Sequence, residues 1–114
     1  MMTVQQMIEK TGWNALTVVP DAEITSGYVC DMLSWVMARA QFGTVWITVQ
    51  AHVNVVAVAA LTGCACVVIP DSIAISDETL AAARDKDVCI ISVPCTSYGA
   101  AAKLHDLGVG EVER

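Results

Sequence analysis

The sequence predicts an α/β fold: a mainly parallel sheet of four to five strands flanked by helices. Short apolar runs rich in β-branched residues alternate with longer segments of helical character, which favours strand–helix–strand units joined by right-handed crossovers. Glycine or proline follows nearly every such segment. The chain has 114 residues, the length of one domain. We therefore expect a single domain over residues 1–114.

The elements of the first half follow from these signals. A helix with one apolar side is expected at 2–10, ended by Gly12. Leu16 begins a short apolar run, which predicts a strand at 16–19 before Pro20. A helix follows at 28–41, with its break at Gly43, and TVWITVQ predicts a strand at 44–50.

Residues 23–40 form the most informative segment, because a polar turn opens directly into a helical pattern. The helical period places six apolar residues on one side: Val29, Met32, Leu33, Val36, Met37 and Ala40. Thr25 and Ser26 offer hydroxyls to the free amides at the helix start, and Gly27 completes the turn. Such a turn either caps the helix and nothing more, or also holds an anion or polar ligand group.

Residues 52–62 are rich in valine, yet the segment is long, turns alanine-rich and stops at Gly63, so a helix is predicted. Because it is apolar almost all round, we expect the sheet to cover one side and a partner subunit the other. The dimer interface is therefore predicted at Val55 and Val58, together with Trp35, which lies beside the apolar stripe of the preceding helix.

The second half has clearer boundaries. A strand is predicted at 64–69, before Pro70, and a helix capped by Ser76 follows, with acidic residues in its first turn. A last strand is predicted at 88–93. Thr96 can cap a helix at 97–107 that Gly108 ends, after which the tail frays or adds an edge strand.

Polar clusters follow the ends of the predicted strands, where ligands bind in parallel α/β sheets. The candidate lining residues are Thr25, Ser26 and Gly27; Gln50, His52 and Asn54; Asp71 and Ser72; and Cys95, Thr96, Ser97 and Tyr98. Each cluster can also be explained by caps and turns alone. A ligand crevice is the prediction, with capped helices as its alternative.

Composition excludes several classes of function. The net charge is −6, with only six lysines and arginines, so no basic surface is expected to bind nucleic acid. The longest apolar run, 55–61, is too short to span a membrane, and no signal peptide is recognisable, so we expect a cytoplasmic protein. A hydrophobic content of 55% favours a homodimer.

The chain has five cysteines, an odd number that argues against a disulfide framework. No Cys-x-x-Cys pair is present, so no metal or iron–sulfur site is expected. Cys95 follows Pro94 at a predicted helix start, where a thiol can become reactive. An alternative function is therefore a small thiol-dependent enzyme or redox sensor that uses Cys95 with His52 or Asn54.

Four segments together resemble the DRTGG domain family, over residues 16–108: EITSGYVCDMLSWVMARA, TVWITVQAHVNVVAVAAL, CVVIPDSI and CIISVPCTSYGAAAKLHDLG. The Asp-Arg-Thr-Gly-Gly turn that names the family reads Glu-Ile-Thr-Ser-Gly here, with agreement at Thr25 and Gly27. The resemblance implies a fold like the N-terminal domain of HPr kinase/phosphorylase. It also implies a regulatory or dimer-forming part, such as those found in phosphotransacetylases and between the CBS domains of some pyrophosphatases.

A kinase activity is excluded on residues, because the phosphate-binding pattern Gly-x-x-x-x-Gly-Lys-Ser/Thr is absent. We therefore expect a non-catalytic, ligand-sensing accessory domain without a cofactor, which binds a small anionic ligand such as an adenine nucleotide and forms a homodimer. Freestanding members of the family accompany redox and hydrogenase systems. A protein-interaction module of such a system is thus a further alternative.

Overall fold

A computed structural model describes residues 2–113 of the chain, and within them helices and strands alternate. The helices are α1 Val4–Thr11, α2 Leu33–Arg39, α3 Val53–Thr62, α4 Asp77–Asp85 and α5 Ser97–Asp106. The strands are β1 Asn14–Ala15, β2 Ser26–Val29, β3 Thr44–Ile47, β4 Cys66–Ile69 and β5 Ile90–Ser92.

The five strands form one sheet in the order β1-β5-β4-β3-β2. Strands β2 to β5 run parallel to one another, and β1 pairs antiparallel with β5 at one edge. The predicted α/β class with a mainly parallel sheet is confirmed.

Helices cover both faces of the sheet, because successive residues of a strand point to opposite sides. Val45 and Ile47 of β3 belong to the core under α1 and α5, which includes Met7 and Leu104. Trp46, between them in sequence, belongs to the core under α2, α3 and α4. This two-sided burial explains why β3 after Thr44 and all of β4 are apolar, and why both strands are buried at every position.

The first strand was predicted two residues too late. Residues 16–19 are not a strand, and β1 is Asn14–Ala15. The hydroxyl of Thr17 takes the place of a backbone ladder there, since it donates to the carbonyl of Val88 at 2.7 Å and accepts from the N–H of Ile90 at 2.9 Å.

The predicted helix 28–41 is wrong over its first part, because Ser26–Val29 is strand β2, paired with β3, and α2 starts only at Leu33. Of the predicted apolar stripe, Val36 is buried and Leu33 and Ala40 are half-buried. The other three stripe residues, Val29, Met32 and Met37, are exposed. Extended pairing with β3 therefore overrides the helical period at the start of this segment.

Helix α3 confirms the prediction for 52–62 and ends at Gly63, whose φ of 74° is the left-handed cap expected there. Val55 and Val58 are only 1% and 8% exposed, in the same core cluster as Trp46 and Ala83. The prediction of these two valines as a dimer interface is therefore wrong, since α2, α4 and the sheet already cover them within one molecule.

The caps predicted at Ser76 and Thr96 are present, whereas α2 begins at Leu33 without a side-chain cap and not at Thr25 or Ser26. The Ser76 hydroxyl accepts from the N–H of Thr79 at 3.2 Å, and the Thr96 hydroxyl accepts from the N–H of Gly99 at 3.1 Å. The tail adds a single parallel bridge to the edge of β2 at Gly27, whose N–H donates to the carbonyl of Gly110 at 2.8 Å.

Candidate functional site

The carboxyl ends of β2 to β5 share one rim of the sheet, and α3, α4 and α5 begin there. The rim brings together most of the predicted site residues: Gln50, His52 and Asn54 after β3; Asp71 and Ser72 after β4; and Cys95, Thr96, Ser97 and Tyr98 after β5. The N-termini of these three helices, the start of the short helix α2 at Leu33 and four strand ends thus face the same side of the molecule.

Thr25 and Ser26 do not belong to this rim. Ser26 is the first residue of β2, at the opposite end of the sheet, and its hydroxyl is buried against that of Thr44 at 2.9 Å. The Thr25 hydroxyl donates to the carbonyl of Phe42 at 2.7 Å. Gly27 lies on the lateral edge of the sheet. The prediction that these residues share the crevice is therefore wrong, because it depended on a helix beginning where a strand lies.

Asp31, which sequence reasoning did not select, organises the rim beside β3. One carboxylate oxygen accepts hydrogen bonds from the Thr48 hydroxyl at 2.8 Å and the Val49 N–H at 2.9 Å. The Gln50 side chain donates to the Asp31 carbonyl at 3.1 Å. The signal for Asp31 is its position just after β2, which is recognisable only once β2 is known to be a strand.

His52 has a structural contact. Its Nδ1 accepts from the N–H of Asn54 at 3.3 Å, which caps α3. Strand β4 lies between the strands that lead to His52 and to Cys95, a separation of about 10 Å at two strand spacings. The sheet therefore does not place these two residues as a base and its nucleophile.

The loop after the central strand β4 contains two consecutive residues in the left-handed region, Asp71 at φ 59° and Ser72 at φ 50°. Their N–H groups donate to the carbonyls of Cys95 at 2.8 Å and Val93 at 3.0 Å. Residues other than glycine seldom adopt this conformation, and strained backbone concentrates at functional sites. The two exposed side chains are thus held at a fixed place on the rim.

A cavity of about 360 Å³ opens beside the carboxyl end of β5. Its walls come from the end of α1, the β1–β5 pair and one side of α5: Thr11, Gly12, Trp13, Asn14, Ser92, Pro94, Cys95, Gly99 and Lys103. Sequence reasoning identified Cys95 but not Trp13 or Lys103. No local pattern could have joined those two residues, since they lie near opposite ends of the chain.

Gly99 lets α5 approach Cys95 closely. A Cβ atom at this position would lie 3.2 Å from the Cβ and 3.8 Å from the Sγ of Cys95. The thiol therefore sits against the first turn of α5, half-buried at the wall of the cavity.

Three other thiols, those of Cys64, Cys66 and Cys89, have raised pKa values. Burial raises the pKa of Cys89 to about 11, and burial raises the pKa of Cys66 well above its usual range. Burial also raises the pKa of Cys64, although a hydrogen bond from Thr62 acts in the opposite direction. These three thiols remain protonated at neutral pH, as expected of cysteines that pack structurally.

A second cavity, of about 410 Å³, lies between the edge of β2, α5 and the tail. Apolar side chains such as Ile47, Leu104 and Val109 form most of its lining, with Glu111 and His105 beside them. Gly27, one of the predicted ligand residues, lines this cavity. It therefore belongs to a different surface from Cys95.

A metal-binding cluster of side chains and a membrane-spanning helix are both absent from residues 2–113. No group of three or more His, Cys, Asp or Glu side chains in this range is placed to hold a metal ion. No helix in the same range combines the length and apolar character that a membrane crossing needs.

The fold and rim define an α/β domain with a mainly parallel sheet and an open strand-end face. No family model matches the sequence, and no curated protein does. A solved structure does match in fold: the CBS and DRTGG domains of the regulatory region of Clostridium perfringens pyrophosphatase, complexed with the activator diadenosine tetraphosphate. The TM-score is 0.69 at 13% identity, over 90% of this chain and 45% of that chain. This chain thus spans less than half of that structure, and the likeness extends to the fold.

Proposed function

We propose that this protein is a DRTGG-like regulatory domain that senses a small anionic ligand, such as an adenine nucleotide, at the carboxyl rim of its sheet, without catalysis of its own. The observation that carries the proposal is the convergence of three helix N-termini and the strained Asp71–Ser72 loop on one rim. The likeness in fold to a regulatory region solved with a nucleotide activator supports it.

The three helix N-termini are not equally suited to an anion. The first turn of α4 holds Asp77 and Glu78, whose charges already satisfy the positive end of that helix and repel a second anion. The first turns of α3 and α5 contain no acidic residue. However, Asp31 brings a carboxylate to the β3 side. The start of α5 is therefore the best place on the rim for a negative charge.

A ligand regulates such a domain by binding one arrangement of its subunits more tightly than another. The homodimer is proposed at the surface of residues 29–42, because this segment supplies five of the nine large apolar side chains exposed within residues 2–113: Val29, Met32, Trp35, Met37 and Phe42. Trp35 is 48% exposed, with the Arg39 guanidinium 4.0 Å from its ring centre. Exposed apolar residues gathered in this way are typical of a protein contact.

Titration with AMP, ADP, ATP and diadenosine polyphosphates tests the ligand. Binding in a calorimeter should be accompanied by a higher melting temperature, since a ligand at a hundred times its Kd stabilises the folded state by about 2.7 kcal/mol. If none of these nucleotides binds, a protein-interaction module becomes the better description. The exposed apolar residues of 29–42 favour that second candidate.

Trp35→Asp tests the dimer by mass in solution. The variant should be monomeric at concentrations where the native protein is dimeric, because a buried unpaired carboxylate opposes association. Tyr98→Asp is the matched control, since Tyr98 is 86% exposed but lies on α5. An unchanged dimer in Trp35→Asp would place the contact elsewhere.

A further inference from the structure

We infer that the cavity between Trp13, Cys95 and Lys103 is a binding site for a nucleoside monophosphate, with the base against Trp13 and the phosphate at Lys103. The inference rests on the proposed ligand-sensing function and specifies it, since it names the site and limits the ligand to one phosphate. Three features of the cavity carry it: its charge, its aromatic wall and its size.

The charge of the cavity is unusual for this protein. The chain has twelve acidic residues and a net charge of −6, yet the cavity wall contains Lys103 and no carboxylate. Of the four cavities described within residues 2–113, the other three each contain an acidic residue: Glu111, Asp87 and Glu113. A lone cation in a cavity free of acid favours an anionic ligand.

The start of α5 adds to the positive side of this cavity. Its wall includes Gly99 in the first turn of the helix. The Thr96 hydroxyl and carbonyl accept from the N–H groups of Gly99 and Ala100, while the first amides of any helix have no partner within it. The partial positive charge of the helix start therefore reaches the cavity at Gly99, and Lys103 lies about one turn further along α5 on the same wall.

Trp13 provides a planar wall that is fixed in place. It is half-buried against the core beneath α1 and α5. The backbone N–H of Trp13 donates to the Thr11 hydroxyl at 3.2 Å, and that hydroxyl donates to the carbonyl of Met7 at 2.8 Å, so the main chain that carries the ring is anchored to the end of α1. Stacking on a held tryptophan is a general way to bind a nucleobase without sequence-specific contacts.

Size and charge together select a mononucleotide. A volume of about 360 Å³ is at the lower end of the range for small-molecule sites. One lysine balances one phosphate, whereas each further phosphate would add uncompensated charge to an acidic protein. The carboxyl end of α1, at Thr11 and Gly12, forms part of the wall, and carbonyls that have no partner within a helix end accept hydrogen bonds from an amino group. AMP should therefore bind better than IMP, which lacks the exocyclic amine.

The test compares AMP, IMP, adenosine, inorganic phosphate and diadenosine tetraphosphate by calorimetry on the native protein, Lys103→Gln and Lys10→Gln. AMP should bind the native protein most tightly and lose at least tenfold in affinity in Lys103→Gln. Lys10→Gln removes the same charge from exposed α1 outside the cavity, and its affinity should stay within twofold. Melting of each variant confirms that it is folded.

A second readout needs no substitution. Saturating AMP should slow alkylation of Cys95, measured by peptide mass spectrometry, and leave alkylation of Cys30 unchanged. Cys30 is equally half-buried but follows β2 at the other side of the rim.

The possible outcomes distinguish failure of this binding site from failure of the proposed ligand-sensing function. AMP binding that is insensitive to Lys103→Gln and does not protect Cys95 would overturn this site and leave nucleotide sensing in place. Tighter binding of diadenosine tetraphosphate than of AMP would overturn the mononucleotide assignment alone. If no member of the series binds, both this inference and the ligand-sensing function fail.

Discussion

The two sides of the carboxyl rim use polar residues in opposite ways. Beside β3, Asp31 binds the Thr48 hydroxyl and the Val49 N–H, and Gln50 returns a hydrogen bond to the Asp31 backbone. Beside β5, Lys103 has no ion-pair or hydrogen-bond partner among residues 2–113 and lines a cavity instead. A polar cluster at a strand end can therefore bind a ligand only where its polar groups have no hydrogen-bond or ion-pair partner within the protein.

The largest effect is expected on the β3 side, from Asp31→Ala. This variant removes a charged acceptor and leaves the hydroxyl proton of Thr48, a fully buried residue, without an acceptor, although the oxygen still accepts from the Gln50 N–H. The free energy of unfolding, measured in urea, should fall by about 2 to 4 kcal/mol. Asp106→Ala, at the exposed end of α5, is the control and should change stability by less than about 0.5 kcal/mol. Similar losses in both variants would mean that Asp31 does not hold the rim.

A second effect concerns the thiols on the β5 side, where Cys89 is buried and Cys95 borders the cavity. Because the pKa of Cys89 is raised from 9.0 to about 11 in the folded protein, its contribution to stability is complete below pH 9 and is lost as the pH rises to 11. We expect a loss of about 2 to 3 kcal/mol over this window.

Cys89→Val isolates that contribution, since the variant keeps a buried apolar side chain of similar size without a thiol. The stability difference between the native protein and Cys89→Val should be constant below pH 9 and shift in favour of the variant up to pH 11. Parallel curves across this range would show that the Cys89 thiol does not titrate with folding.

The sequence predicts those parts of the fold whose signals are local. Helix α3 is defined by its length and by Gly63, and the caps at Ser76 and Thr96 by side chains next to the amides they bind. Strand β2 is missed because its four residues run into the apolar stripe of α2, and only pairing with β3 makes them extended. Because β2 was not predicted, Thr25 and Ser26 were assigned to the ligand crevice, to which they do not belong.

The cavity beside β5 is beyond local signals altogether. Cys95 is identified by its position at a helix start, but the parallel sheet and the antiparallel β1 bring Trp13 and Lys103 to it. Asp31 has the same limitation, because its partners Thr48 and Val49 follow a different strand. Tertiary contacts therefore determine which polar groups have no partner within the protein and are free to bind a ligand.

His52→Ala should have an intermediate effect on the β3 side. It removes the acceptor for the Asn54 N–H at the start of α3, and the loss of such a cap costs about 1 kcal/mol. His52→Ser retains a capping oxygen and should recover most of that stability in thermal melts. If both variants lose the same amount, the imidazole contributes by a contact other than the cap.

The smallest expected effect lies between the two sides, at Ser72 in the loop after β4. Glycine adopts a φ of 50° without the steric cost that serine bears, but it is more flexible when unfolded, so Ser72→Gly should stabilise the protein by about 0.5 kcal/mol. Ser34→Gly, at the exposed second residue of α2, should have the opposite sign and cost up to about 0.5 kcal/mol. Destabilisation by both substitutions would mean that the Ser72 hydroxyl stabilises the loop more than the backbone strains it. The side chains of this loop would then be used for structural hydrogen bonds, as those beside β3 are, even though its N–H groups donate to the carbonyls of Val93 and Cys95 beside β5.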